Sequence, residues 1–518
     1  MLKTLRFLII AALCYVVASF GFQWLFPVPH DPDRANSTAV PASDQTTLGA
    51  VVLPLMEQNP GTSGVAGLQD GAAAFAARLL LIDAAEQSLD VRYYIWQKDI
   101  TGLLLLDAVQ RAAERGVRVR LLLDDNGTPD LDPELAEMDA HPNIEVRLFN
   151  PFMLRSPRMV SYVLDFGRIN RRMHNKSLTV DGVATVVGGR NVGDIYFSRS
   201  EGVNYFDMDV VAIGDAAADV SEDFDLYWTS PSAVPVGDVL MPRPAGGGIL
   251  EASVAQVKAR PGGAAYADSV RASHLMEELL DDARGFDWVP MQMVSDSPVK
   301  GQGAAQDDDL MMTRLIKLLP KPQVEVSVIS AYFVPGDRFT EVLTTWAGEG
   351  IRVRTLTNAQ EATDVLPVHS GYVPYRDRLI DGGVEVYELK SDQVKPDLLE
   401  QFGLVGSSNT SLHAKTFEID GRLIFVGSFN FDPRSARLNT EMGFLIDSAD
   451  LASAMARGLD RQLPERAYLV ERGASGELHW IEMNREGAEH IYPREPKTTA
   501  LSRAVVWIMG LLPIQWML

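Results

Sequence analysis

Three regimes of apolar and polar positions divide the 518-residue chain. From Phe7 to Phe26 no charge interrupts an apolar run that follows Lys3 and Arg6. About 20 such residues is the length a helix needs to cross a bilayer. The run predicts a single N-terminal anchor over residues 1–26, with the basic flank held inside and the body outside. A cleaved leader is the alternative, but the run is longer than a typical leader core and no small-x-small site follows before Pro27. His30 to Leu48 is rich in Pro, Asp, Ser and Thr without apolar periodicity, and predicts a flexible tether over 27–49. Helix and strand periods then alternate. Gly71–Gln87 reads as a helix, Leu89–Trp96 as a strand, Thr101–Arg115 as a helix stopped by Gly116, and Val117–Leu123 as a second strand. Near the C-terminus, Ala504–Leu518 is apolar again but too short to span. With Trp507 and Trp516 it predicts a segment lying in a membrane interface.

The β-α-β pattern returns. Val324–Val334 reads as a strand, a helix runs through Trp346, and GIRVRTLT from Gly350 matches GVRVRLLL from Gly116. A second match, His-x-Lys-x-x-x-x-Asp at His174 and again at His413, falls at nearly the same offset, 239 residues against 234. The chain is therefore an internal duplication. Pro-, Gly- and Asp-rich stretches between the halves predict a connection over 236–310, flanked by one lobe at 50–235 and another at 311–470, with a C-terminal segment over 471–518. His274, within the connection, reads as a helix-surface residue.

Charge and composition narrow the chemistry. A formal net charge of −22 argues against a protein that coats nucleic acid, because non-specific affinity for a polyanion comes from Lys and Arg. The lone Cys14 sits in the anchor, so the body carries no thiol for catalysis or zinc. Neither His141 nor His369 shows metal-ligand spacing, and neither a metal nor another cofactor is expected.

Each repeated motif reads as a hairpin: a strand, an Asp-Gly turn, and an apolar strand ending in a glycine corner. The first supplies His174, Lys176, Asp181, Gly189 and Asn191; the second supplies His413, Lys415, Asp420, Ser428 and Asn430. Side chains two apart on a strand share a face, so each His projects with its Lys. Cleaving a phosphodiester requires an attacking group, a proton donor for the leaving oxygen, and cations around the non-bridging oxygens. Two His, two Lys and two Asn provide these. One imidazole can attack phosphorus while the other protonates the alkoxide and later deprotonates the acceptor. Asp181 and Asp420 complete the motif set of candidate catalytic residues, but their turn positions suit local hydrogen bonding and predict a structural or supporting part.

These paired motifs resemble the phospholipase D superfamily. LQDGAAAFAARLLLIDAAEQSLDVRYYIW, VRLFNPF and RINRRMHNKSLTVDGVATVVGGRNVGD resemble its cardiolipin synthases, C type. The resemblance implies an α/β fold of two duplicated lobes, each a mixed β-sheet flanked by helices, related by a pseudo-twofold axis around one shared active site. It implies His174 as nucleophile, His413 as general acid and base, and a carboxylate downstream of each motif to hold its His. Asp209 and Glu441 are the candidates for that part, with Asn191, Ser428 and Asn430 as phosphate-binding or supporting residues. The implied activity is phosphatidyl transfer at the membrane, with phosphatidylglycerol as substrate, phosphatidylethanolamine as a candidate second one, and no nucleic acid partner. Hydrolysis to phosphatidic acid is the alternative, followed by a nuclease. The implied location is a bacterial inner membrane with the body in the periplasm. Arg155, Arg158, Arg168, Arg171 and Arg172, interleaved with Phe152, Met159, Tyr162 and Phe166, suit an anionic headgroup with acyl chains. Tyr94, Tyr332 and Tyr375 read as core or cleft wall.

Overall fold

Each copy of the β-α-β pattern nucleates its own mixed sheet. A computed structural model describes the chain except residues 1, 30, 32, 35, 200–204, 261–284, 392–411 and 484–487; His274 lies outside the described residues. The first sheet runs in the order Ala233–Pro235, Ile144–Phe149, Arg118–Asp124, Ser88–Tyr93, Ser177–Val180, Ala184–Gly188, Asp209–Ile213, Ser63–Leu68 and Asp287–Val289. The second repeats its seven central positions as Glu385–Leu389, Arg352–Asn358, Glu325–Ser330, Lys415–Ile419, Leu423–Gly427, Met442–Asp447 and Met291–Ser295. In both, three parallel strands adjoin an antiparallel hairpin. The predicted helices form at Gly71–Ala84, Ile100–Glu114 and Gly336–Gly348. Asp70 and Asp99 cap the first two by accepting from the Ala73 and Gly102 N–H groups, which satisfies donors that a helix start leaves orphaned.

Each sheet has its own apolar core, and a third core joins them: Val187, Val210 and Ala212 of the first lobe meet Ile424, Val426 and Phe444 of the second. The face that carries both motif hairpins is therefore buried against its counterpart.

Three expectations shift. The connection is not a passive linker, because Asp287–Val289 edges the first sheet and Met291–Ser295 the second, so the chain changes sheets across Pro290. Strands this short leave little periodicity to read. The second sheet also extends past 470 through Leu478–Met483 and Glu489–Tyr492. The tether is a docked strap: the carbonyls of Ser37 and Thr38 and the side chain of Asn36 accept from Arg120, Arg118 and Arg147, and the Ala39 N–H donates to Asp225. Polar backbone supplies acceptors that buried guanidinium groups require.

The N-terminal run forms helix Leu2–Leu25, and its Lys3–Leu25 portion is long and apolar enough to cross a membrane. Ala500–Gly510 is helical and packs on helix Leu366–Asp381, leaving Trp507, Ile508 and Leu511 exposed.

Candidate active site

Both hairpins turn on their Asp-Gly pair, with left-handed backbone at Asp181 (φ 50°), Gly182 (66°), Asp420 (56°) and Gly421 (60°). This geometry matches the twist of the flanking strands. The Asp181 carboxylate accepts from the N–H groups of Glu86, Gln87 and Ser88 at 3.1, 2.8 and 2.8 Å. Asp420 does the same for Gln323, Val324 and Glu325 at 2.9, 2.7 and 3.0 Å. Each Asp thus clamps the entry of the neighbouring central strand, and neither touches the histidines. Their inclusion among the catalytic residues is corrected to a structural part.

The histidines stand just before their strands, at the seam between the lobes. The His174 N–H donates to Thr440 O at 2.9 Å, and the His413 N–H donates to Phe206 O at 2.8 Å. The residue after each of these acceptors holds the ring: His174 Nδ1 lies 2.8 Å from Glu441 Oε2, and His413 Nδ1 lies 2.5 Å from Asp207 Oδ2. The dyads are crossed, each imidazole being held by the opposite lobe. With Nδ1 engaged, Nε2 is the nitrogen left for chemistry.

Asp207 replaces the expected Asp209. Residues two apart share a face, so the sequence pattern does not separate them. Strand register does: Asp209 pairs with Gly188 where Gly443 pairs with Gly427, which makes Asp207 the counterpart of Glu441. Asp209 lies inside the first lobe, 2.8 Å from Arg78 and 3.3 Å from Arg190. The Gly189/Ser428 asymmetry has a steric reason. A Cβ at Gly189 would meet Asp207 Oδ1 at 2.2 Å, whereas the Ser428 hydroxyl donates to Glu441 Oε2 at 2.5 Å. Ser428 therefore supports the carboxylate instead of facing a phosphate.

Lys176 Nζ donates to His174 O at 2.5 Å and lies over the Tyr94 ring at 5.5 Å; Lys415 Nζ donates to His413 O and sits 3.2 Å from His413 Nε2. Aromatic rings wall the site. Tyr94 is edge-on to His174, Tyr205 stacks on His413, and Tyr196 meets His413 edge-on, all with centroids 5.0 to 5.1 Å apart. Asn191 is spent at both ends, accepting from Ile95 N–H and donating to the Tyr196 hydroxyl. Buried Asn430 has an amide oxygen without a partner among the described residues.

Burial dominates the electrostatics. It pushes His174 well below its ordinary value, reinforced by Lys176 and Lys415, and lowers His413 to about 3 together with Lys415. Burial also lowers both lysines, Lys176 strongly. The two carboxylates diverge. Burial lifts Glu441 to about 7 against the pull of Lys176, while His413, Lys415 and Arg190 overcome burial and hold Asp207 well below the usual range. One dyad has a firm anion and the other a carboxyl poised near neutrality.

The connection supplies further supports that sequence reasoning left without chemistry. Asp296 accepts from the Glu441 N–H at 2.8 Å and pairs with Lys300 at 2.8 Å, and Lys300 also donates to Ser435 O. The Arg-rich stretch is largely committed: Arg155 and Arg158 face Asp125 and Asp132, Arg168 pairs with Asp165, and Arg172 pairs with Asp124. Only Arg171 among these five bonds to carbonyls alone, those of Lys300 and Arg437. The expected five-arginine headgroup patch is thus reduced to one, because opposite charges on adjoining loops satisfy the rest. Among the described residues no cluster of three or more His, Cys, Asp or Glu is arranged to hold a metal.

A family model described as cardiolipin synthase, PLD-like domain matches residues 79–228 and 315–463, one match on each lobe. Cardiolipin synthase C of Escherichia coli is 42% identical over 91% of this chain and 99% of its own. Cardiolipin synthase B of Shigella flexneri is 25% identical over 73% of this chain and 75% of its own. The crystal structure of a phosphatidylserine synthase from Haemophilus influenzae superposes with a TM-score of 0.55 at 17% identity, covering 90% of this chain and 99% of that one, a likeness of fold.

Proposed function

Because this chain belongs to the cardiolipin synthase, PLD-like domain family, we propose that it is a membrane-anchored phosphatidyltransferase that makes cardiolipin from phosphatidylglycerol and a second phospholipid. The observation that carries this reading is the pair of crossed dyads, which brings two buried imidazoles together with two ammonium groups. In the proposed course, His174 Nε2 attacks the phosphorus of the donor lipid and the bond to its headgroup oxygen breaks. His413 protonates the departing alkoxide. The phosphatidyl group rests on His174 until the glycerol hydroxyl of phosphatidylglycerol, losing its proton to His413, attacks phosphorus and releases the imidazole. The firm anion of Asp207 favours the charged imidazolium that an acid needs. An arriving phosphate offsets the Lys415 charge that opposes protonation of His413. Lys176, Lys415 and Asn430 are the proposed holders of the non-bridging oxygens. A cavity of about 390 Å³ beside Asp207 combines apolar Phe206, Ile329, Leu356 and Leu459 with charged Lys390, Arg466 and Lys497, a lining that suits an anionic lipid. Lys3 and Arg6 before the anchor support a periplasmic body.

Mass spectrometry of lipids after incubating the purified protein with phosphatidylglycerol vesicles, with and without phosphatidylethanolamine, tests this reading. Cardiolipin is the expected product, and His174→Ala or His413→Ala is expected to abolish it. Phosphatidic acid as sole product would overturn the transferase reading. A requirement for phosphatidylethanolamine would identify it as the donor.

A further inference from the structure

The N-terminal helix touches the segment that leads into the first motif. Tyr15 OH donates to Val163 O at 2.8 Å, Ser19 Oγ to Leu164 O at 2.5 Å, and Gln23 Nε2 reaches Asp165 Oδ1 at 3.5 Å. Positions 15, 19 and 23 form one stripe of the helix. Val163 and Leu164 end the short helix Arg158–Leu164, where carbonyls lack intrahelical partners. Water normally serves such groups, and in hydrocarbon leaving one unserved is strongly unfavourable. Here hydroxyls of the anchor serve them.

Depth follows from geometry. At about 1.5 Å per residue, Tyr15 lies about 15 Å along the helix from Leu25, half of a hydrocarbon core about 30 Å thick. A spanning anchor therefore carries Arg158–Leu164 into the adjoining half of the bilayer. That helix suits the position: Met159 is 69% exposed and Val163 48%, while Tyr162 packs inward against Phe152 and Phe166. The chain then runs through Asn170, four residues before His174, and Asn170 Oδ1 accepts from Arg434 at 2.6 Å. The Arg434 N–H donates to Leu518 O at 2.7 Å, and Gln515 bonds to the Tyr375 hydroxyl. The apolar tail, with Trp507 67% and Trp516 51% exposed, is thereby drawn to the same rim.

We propose that Arg158–Leu164 is a re-entrant helix held within the outer leaflet by the anchor, and that with Ala500–Leu518 it forms a collar seating the catalytic mouth in that leaflet. The occupant of both apolar surfaces is the acyl-chain layer of the bilayer. Phospholipids then enter laterally, keeping their chains in the membrane while the phosphodiester reaches His174. This rests on the membrane-anchored lipid-transfer reading and adds where the substrate enters.

The test uses the full chain with Cys14→Ala, reconstituted in vesicles of phosphatidylglycerol, phosphatidylethanolamine and phosphatidylcholine. Met159→Cys, Trp507→Cys and, as a control in an exposed loop, Ser475→Cys are each labelled with an environment-sensitive fluorophore. Labels at 159 and 507 are expected to be quenched by chain-linked doxyl groups and shielded from aqueous iodide, with the reverse at 475. A label at 159 that iodide reaches and doxyl does not would overturn the proposal. Cardiolipin formation measured in the same vesicles separates the two readings, since cardiolipin made with an aqueous label at 159 sinks only the collar, and a buried label without cardiolipin sinks only the activity. Independently, Met159→Asp with Val163→Asp is expected to lower turnover of vesicle lipid relative to detergent-dispersed lipid by about tenfold. Equal loss on both would overturn the collar.

Discussion

At the scale of residues, the two carboxylates Asp207 and Asp209 stand two positions apart in sequence and do different work. Asp207 orients His413 from across the seam, and Asp209 neutralises Arg78 and Arg190 inside one lobe. Asp207→Asn is expected to lower kcat by on the order of 10²–10⁴, the range for losing the group that fixes a catalytic tautomer. Asp209→Asn is expected to destabilise by about 3–5 kcal/mol, the cost of stranding buried charge. Denaturant melts and cardiolipin assays on both variants check the contrast, and a silent Asp207→Asn would remove Asp207 from the mechanism. Glu441 adds a pH signature. Its folded value of about 7 lies above the ordinary 4.5, so the folded site holds a proton more firmly than the unfolded chain. Its contribution to stability is full below 4.5 and is lost as pH rises through 7. The melting temperature of Glu441→Gln relative to the parent is therefore expected to move in the variant's favour between pH 4.5 and 8. A pH-independent difference would contradict the raised value.

At the scale of elements, each hairpin is a device for placing one His at a seam. Its Asp ties the turn to the neighbouring strand, and its corner either leaves room for the carboxylate, at Gly189, or bonds it, at Ser428. The ties differ in exposure, since the Asp181 carboxylate is buried while Asp420 binds N–H groups of exposed residues. Asp181→Ala is expected to cost about 1–3 kcal/mol and Asp420→Ala less, because water can serve the exposed donors. Chemical denaturation of the two variants measures the difference. In the corner, Gly189→Ser drives a side chain into Asp207, so kcat is expected to fall by on the order of 10² with far-UV circular dichroism unchanged. Normal turnover would show that Asp207 has room to move.

At the scale of the molecule, the crossed dyads make the active site a property of the lobe interface. Neither lobe holds a complete His–carboxylate pair, and the apolar seam around Val187 and Val426 holds the four groups in register. The connection joins in, since Lys300 secures Asp296, which in turn fixes the Glu441 backbone. Lys300→Met is expected to lower kcat and shift the acid limb of its pH profile while KM for lipid stays near that of the parent. An unchanged profile would confine Lys300 to stability.

How much of this was legible in the sequence follows from the range of each interaction. The duplication, the β-α-β order, the hairpins and the His-Lys spacing were all readable, because periodicity and turn chemistry act over a few residues. The turn positions of Asp181 and Asp420 were readable for the same reason, but their backbone partners, 93 to 97 residues away along the chain, were not. Tertiary structure alone decided the choice of Asp207 over Asp209, the pairing of each His with the other lobe, the strap at 36–39 and the commitment of four arginines to carboxylates. Those depend on register and on contacts between residues as far apart as His174 and Glu441, where two carboxylates two positions apart look alike in sequence. Strand register within the first sheet separates them, setting Asp209 beside Gly188 among the arginines of its own lobe, and the packing of the lobes brings Asp207 to His413.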